Sequence, residues 1–185
     1  LSIRRQRQMC IRDSFEGYEI LLWAPHTKNP LNYGFGKRIE NPEETDCIMI
    51  TGSRRNVSIW EDWMDEVADL IRSSNATIYG ICFGHQIVCH ALGGKVERAK
   101  ENSSFITEVK YKDGRATRQL FTHQDHVVNS GEMIVIGSAE HCEIAVCEHP
   151  TRRIRTVQFH PEAVESLLEY SVECGDMTVS YTHLT

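Results

Sequence analysis

Short apolar runs alternate with polar connections along the chain, and the period of the apolar positions changes partway. Residues 18–23 (Tyr-Glu-Ile-Leu-Leu-Trp) and 47–51 (Cys-Ile-Met-Ile-Thr) are apolar runs of strand length, and residues 77–81 (Thr-Ile-Tyr-Gly-Ile) form a third β-rich run. Residues 24–42 are polar and carry Pro25, Pro30, Gly34 and Gly36, which predicts a loop. A helical period follows. Trp60, Trp63, Met64, Val67, Leu70 and Ile71 share one face, and Ser58 with Glu61 has the spacing of a capping box. The tryptophans on that face are read as core. A second helix is expected from about His85, with Ile87, Val88, Ala91 and Leu92 on its apolar face and Gly93-Gly94 as its stop.

After Gly94 the pattern changes to short strands, at residues 105–111, 116–121, 133–137, 143–148 and 154–159. Turn signals separate them, among them Lys112-Asp113-Gly114 and Asn129-Ser130-Gly131. A last helix is expected over residues 162–173, with Val164, Leu167, Leu168 and Val172 inward. Strands alternating with helices in the first half, and strands apolar throughout, predict an α/β layered fold with a largely parallel sheet.

A length of 185 residues makes one domain the default. The net charge of −6 and pI of about 5.8 argue against nucleic acid as a main partner. No apolar run is long enough to span a membrane as a helix. The seven cysteines (10, 47, 82, 89, 142, 147 and 174) are odd in number and include no Cys-x-x-Cys pair, which predicts free thiols in a reducing, cytoplasmic setting.

The ends differ from the middle. Residues 1–14 are basic and patternless, and residues 179–185 are short and polar. Residues 9–13 and 179–183 can be encoded by mutually reverse-complementary DNA, as a library adaptor read through as protein would be. Residues 1–14 and 179–185 are therefore read as non-native tails around a domain at 15–178, and the Arg4-Arg5-Gln6-Arg7 cluster receives no functional reading.

The candidate chemistry centres on Gly80-Ile81-Cys82-Phe83-Gly84. A nucleophile with a glycine two residues before it and another two after it is the sulfur form of the Gly-x-Ser-x-Gly elbow. The chain turns sharply from strand to helix there, and side chains two positions away would collide. Cys82 then stands at a helix N-terminus, where the dipole and free N–H groups favour a thiolate. The plainer reading is a small apolar cysteine buried in a tight turn. Val157-Gln158-Phe159-His160-Pro161-Glu162 supplies what the elbow lacks: an imidazole to carry the proton and a carboxylate to orient it, at the carboxyl end of another strand.

Together, Gly-Ile-Cys82-Phe-Gly-His-Gln86 and Gln158-Phe-His160-Pro-Glu162 resemble the class I (triad) glutamine amidotransferases, and most closely the stand-alone members similar to the glutaminase domain of GMP synthase. The resemblance spans roughly residues 18–168 and implies a flavodoxin-like layered fold. It implies Cys82 as nucleophile, His160 as base and acid, Glu162 as orienting carboxylate, and the N–H groups of Gly52 and Phe83 as oxyanion hole. It also implies that Gln86 contacts the glutamyl part of the substrate, and that the main chain of a loop, Thr122-His123-Gln124-Asp125-His126-Val127, holds the substrate's amino acid end. The implied substrate is glutamine or another γ-glutamyl amide, hydrolysed through a thioester with no metal or organic cofactor, and the implied acceptor or synthetase lies on another chain.

Three departures stand out. The oxyanion segment reads Thr51-Gly52-Ser53-Arg54 where the family often has Gly-Gly-Pro or Gly-Pro-Gly. Gln124 replaces a glycine, which puts selectivity for free glutamine in question. The family's first strand and helix, expected before residue 18, have no counterpart here. Arg54 and Arg55 are read as a solvated surface pair in preference to a carboxylate-binding one. Alternative functions are a γ-glutamyl peptidase acting on glutathione-like amides, a non-catalytic regulatory subunit, and a redox protein built on the elbow cysteine. His123-x-x-His126, with Cys142 and Cys147, matches no common structural zinc spacing, and polar loop residues explain it as well. His85 and His90 are read as structural or exposed, and Cys89 as core. Gly93-Gly94-Lys95 lacks the spacing of a phosphate loop.

Overall fold

The computed structural model describes residues 17–29, 34–42 and 44–163. Residues 17–29, 34–42 and 44 fall in one compact unit, and residues 45–163 in a second. The expected terminal tails, and the last helix beyond residue 163, lie outside the described residues.

In the first unit, β1 (Leu21–Trp23) pairs in parallel with β2 (Lys37–Ile39), Leu21 opposite Lys37. The Trp23 indole N–H donates to the Glu40 carbonyl at 3.1 Å. Strand β2 lies inside the segment expected to be all loop. Its Lys-Arg-Ile sequence has no apolar alternation to announce a strand, and the pairing to β1 makes it one.

In the second unit, the apolar runs become β3 (Cys47–Ile50) and β4 (Thr77–Ile81), joined by helix α1 (Trp63–Ser73), and β4 runs into helix α2 (Phe83–Ala91). The later strands are β5 (Lys95–Tyr111), β6 (Ala116–Asn129), β7 (Ile134–Ala139), β8 (Cys142–Glu148) and β9 (Ile154–Val157). The seven strands form one sheet in the order β3-β4-β9-β8-β7-β5-β6. β3, β4 and β9 are mutually parallel, and the remaining pairs are antiparallel. The layered α/β fold is as expected, and the sheet is mixed. Tight turns account for the antiparallel half: the Asp113 carboxylate accepts from the Arg115 backbone N–H at 3.0 Å, and Asn129 Oδ1 accepts from the Gly131 N–H at 2.8 Å.

Helix α1 buries Met64, Val67, Ala68 and Ile71, four of its inward positions at helical spacing. Its expected capping box does not form. The Asp62 cap makes no side-chain bond, the Ser58 hydroxyl is taken by Asp125 at 2.7 Å, and Glu61 pairs with Arg55 at 3.4 Å. Trp60 precedes the helix, and its N–H donates to Asp65 at 3.0 Å. At the other end, Arg152 donates to the carbonyls of Ile71 (2.6 Å) and Ser74 (2.8 Å), placing a cation at the negative pole of α1. Helix α2 is buried almost all round: Ile87, Val88 and Cys89 are fully buried. A further cluster of Val109, Phe121, Ala139, Cys142, Ala145, Val146 and Phe159 fills the strand-rich half.

Phe121 has no exposed surface and meets the Phe159 ring edge-on at 5.7 Å. Phe121→Ala is expected to cost about 3–5 kcal/mol, read as a shift of the urea unfolding midpoint at unchanged m-value.

Candidate active site

One residue, Cys82, separates the end of β4 from the start of α2. It sits at φ 53°, ψ −103°, and among the described residues no other non-glycine has positive φ. Such a conformation costs of order 1–3 kcal/mol and persists only where its surroundings hold it. Two backbone bonds do so: the Cys82 N–H donates to the Val157 carbonyl (2.9 Å), and its carbonyl accepts from the Gln86 N–H (3.2 Å). The flanking glycines are required by close approach. A Cβ on Gly80 would lie 2.5 Å from the Gly84 carbonyl oxygen, and one on Gly84 would collide with the Ile50 carbonyl oxygen. The elbow is therefore wedged between β3 and the first turn of α2.

His160 follows β9 and is anchored to β6, its N–H donating to the Leu120 carbonyl at 2.9 Å. The turn at Pro161 closes with the Ala163 N–H on the His160 carbonyl at 3.0 Å and brings Glu162 back onto the ring, with Nδ1 to Oε1 at 2.8 Å. Cys82 is the other group that acts on the ring, raising its pKa together with Glu162. Burial pulls the imidazole pKa down, but the hydrogen bonds and negative charge of Cys82 and Glu162 outweigh it, and the value rises to about 9. At neutral pH the ring carries its proton.

The other expected site residues divide into two groups. Gly52 lies against the pair: a Cβ there would be 3.1 Å from His160 Cε1 and 3.7 Å from Cys82 Cβ. Phe83 is the first helical residue, so its N–H is one of those a helix leaves without an internal acceptor. The Thr122 carbonyl oxygen is 3.8 Å from Cys82 Sγ. The remaining side chains are engaged elsewhere. Buried Gln86 donates its amide to the Asp125 carbonyl (2.9 Å) and Gln158 Oε1 (3.1 Å). His123 Nδ1 bonds the Asp125 carbonyl (3.0 Å), and Gln124 donates to the Ala99 carbonyl (3.1 Å). The Asp125 carboxylate accepts both the N–H (2.8 Å) and hydroxyl (2.7 Å) of Ser58. Residues 122–125, expected as a loop, lie inside β6, because the antiparallel pairing with β5 continues past them to Asn129.

Sequence reasoning passed over two supporting residues. Gln158 is fully buried and holds Gln86; its two-residue offset from His160 on an extended strand was the available signal. Ser58 was assigned to a helix cap. Its bond to Asp125 spans 67 positions and has no local signature. His85, read as structural, bonds Thr156 Oγ1 (2.8 Å) and the Ile144 carbonyl (3.0 Å), and burial lowers its pKa to about 4.

A strained cysteine on a strand–helix elbow, beside an imidazole that a carboxylate holds, defines a cysteine-elbow α/β protein. The sequence model of the glutamine amidotransferase class-I family matches residues 27–172, and the chain belongs to that family. It is 29% identical over 178 residues to a GMP synthase [glutamine-hydrolyzing] of Macrococcus caseolyticus, covering 90% of this chain and 31% of that protein. It is 30% identical over 136 residues to a glutamine-hydrolyzing GMP synthase subunit of Sulfolobus acidocaldarius (68% and 72%), and 30% identical over 148 residues to gamma-glutamyl peptidase 2 of Arabidopsis thaliana (71% and 59%). The chain thus spans about a third or less of the full-length GMP synthases it matches. In fold it is similar to a GMP synthase subunit protein of Thermoplasma acidophilum (TM-score 0.63, 19% identity, 88% and 100% covered) and to a glutamine amidotransferase of Methylobacillus flagellatus (TM-score 0.67, 14% identity, 85% and 75% covered).

The raised pKa gives a pH test. The folded value of about 9 stands above the unfolded 6.5, so the stabilisation tied to His160 is complete below pH 6.5 and is lost as pH rises through about 9. Glu162→Gln and Cys82→Ala are each expected to lower the His160 midpoint in an NMR titration. An unchanged midpoint in both would show that neither side chain sets it.

Proposed function

We propose that this chain is a γ-glutamyl amide hydrolase of the glutaminase type, with Cys82, His160 and Glu162 as its catalytic residues. The observation that carries the reading is the pairing of Glu162 with His160 at 2.8 Å beside a cysteine in a strained elbow conformation. His160 enters the cycle already holding the proton of the Cys82–His160 pair, and the Cys82 sulfur attacks the γ-carbonyl carbon of the substrate. The N–H groups of Gly52 and Phe83 receive the developing oxyanion, and each donor of this kind is worth roughly 3–4 kcal/mol of barrier. Protonated His160 gives its proton to the leaving nitrogen, the C–N bond breaks, and ammonia departs from a glutamyl thioester. His160 then draws a proton from water, whose oxygen displaces the sulfur. One glutamine and one water give one glutamate and one ammonia. Glu162 fixes the ring orientation and offsets its charge throughout.

The backbone of residues 122–125 is the surface we assign to the amino acid end of the substrate, and Gln86 acts by holding that strand. A synthetase on a separate chain, or in a longer form of this one, would consume the ammonia. This partner reading is supported by the GMP synthase relatives. A second reading, hydrolysis of glutathione-like γ-glutamyl amides, is supported by the similarity to gamma-glutamyl peptidase 2.

Glutamate release from glutamine and from glutathione, assayed in parallel, separates the two. Release from glutamine and its loss by at least about a thousandfold in Cys82→Ala is the expected result. Release from glutathione alone selects the peptidase reading. Activity that survives Cys82→Ala would overturn both.

A further inference from the structure

Two clusters outside the proposed site bring metal-ligating atoms within 4.8 Å of one another: His85, Cys89 and Cys147, and His123, His126 and Cys142. They differ in how their polar atoms are satisfied. Both His85 ring nitrogens have partners, in Thr156 and Ile144, so the first cluster is an ordinary satisfied core. In the second, His123 is 7% exposed, and its Nε2 is buried with no hydrogen-bond partner. Its Nδ1 faces the Asp125 carbonyl, which can only accept. The ring proton therefore sits on Nδ1, and Nε2 presents a bare lone pair to the cluster. A backbone carbonyl on the far nitrogen is how metal-binding imidazoles are oriented.

We infer that His123, His126 and Cys142 form a binding site for one divalent transition-metal ion, with zinc as the best match to two imidazoles and a thiolate. The donors come from β6 and from the first residue of β8. The His123 and His126 rings meet edge-on with centroids 4.5 Å apart. Ligands on a tetrahedral zinc lie roughly 3.3–3.8 Å from one another, so the three donor atoms, now within 4.8 Å of one another, would draw together on binding. His141 stacks on His123 at 6.1 Å and lies beside the group. The Cys142 thiol now donates to the Ile144 carbonyl at 3.5 Å. On coordination its S–H bond breaks, sulfur bonds the metal as thiolate, and the proton leaves to solvent. The ion would tie β6 to the start of β8, one residue from the Thr122 carbonyl that faces Cys82. It enters no step of the amide chemistry.

Cobalt(II) reports a Cys/His site through its thiolate-to-metal charge-transfer absorbance. The full chain carrying Cys82→Ser, stripped with chelator, removes the competing thiol–imidazole pair at the elbow. One equivalent of cobalt is expected to give the charge-transfer band. Adding Cys142→Ala is expected to abolish it, and His126→Gln to weaken binding at least about tenfold. Absence of the band, or its survival without Cys142, overturns the inference. The unmutated chain gives a second readout that does not depend on a variant folding. One equivalent of zinc is expected to slow alkylation of Cys142, mapped by peptide mass spectrometry, with exposed Cys47 unaffected. Equal Cys142 rates with and without zinc, or protection at Cys82 alone, overturn it. Neither readout uses turnover, so its failure is separable from failure of the amide-hydrolase reading.

Discussion

Cys82 is held at positive φ because strand β4 must end and helix α2 must begin within a single residue. A conventional turn would need several residues and would carry the sulfur away from the parallel strand edge. The strain is local, of order 1–3 kcal/mol, and burial of α2 through Ile87, Val88 and Cys89 outweighs it. The same wedge explains both glycines: α2 can start against β3 only if position 84 has no side chain, and β4 can pass under that first turn only if position 80 has none. Gly52 completes the arrangement, since its bare backbone can approach both His160 and Cys82.

Burial acts on His85, His123 and His160 alike, yet the outcomes differ with what each ring meets. His85 bonds a hydroxyl and a carbonyl, and His123 a carbonyl; burial dominates, and both fall to about 4 or below. His160 meets a thiol and a carboxylate, and their bonds and charge reverse the effect of burial. His160 is thus set to hold a proton where His85 and His123 shed theirs. The difference traces to Cys82 at the elbow and to Glu162, which the Pro161 turn returns to within 2.8 Å of the ring.

The elbow and the His-Pro-Glu turn were legible because both are local. Glycine spacing, strand-to-helix periodicity and a two-residue offset all lie within a few positions of the side chains they place. The strands after Gly94 were legible in number and less so in extent. β5 and β6 run on to Lys95 and Asn129 through polar positions because each supplies the other's ladder, which no window of sequence records. Ser58 misled for a related reason: its local context fits a helix cap, and a carboxylate 67 residues away competes for the same hydroxyl. Strand β2 carried no signal at all, having only Lys-Arg-Ile to offer.

Asp125 shows why the segment expected to be a loop is better built as a strand. Its carboxylate accepts two bonds from Ser58, and its carbonyl accepts from Gln86 and from His123. One residue therefore fastens β6 to the segment ahead of α1 and to α2 at once, and Gln158 holds Gln86 from the β9 side. With those bonds made, the Thr122 carbonyl has little freedom to move relative to Cys82. The glutamine at position 124 then has a structural reason. Its side chain points away from this junction and donates to the Ala99 carbonyl, in the irregular stretch of β5 between Arg98 and Ser103 where the ladder register shifts. A glycine there would leave that carbonyl without this bond. The departure at 124 thus repairs the β5–β6 edge, and the face of β6 toward Cys82 is shaped by main chain that Asp125 fixes in place.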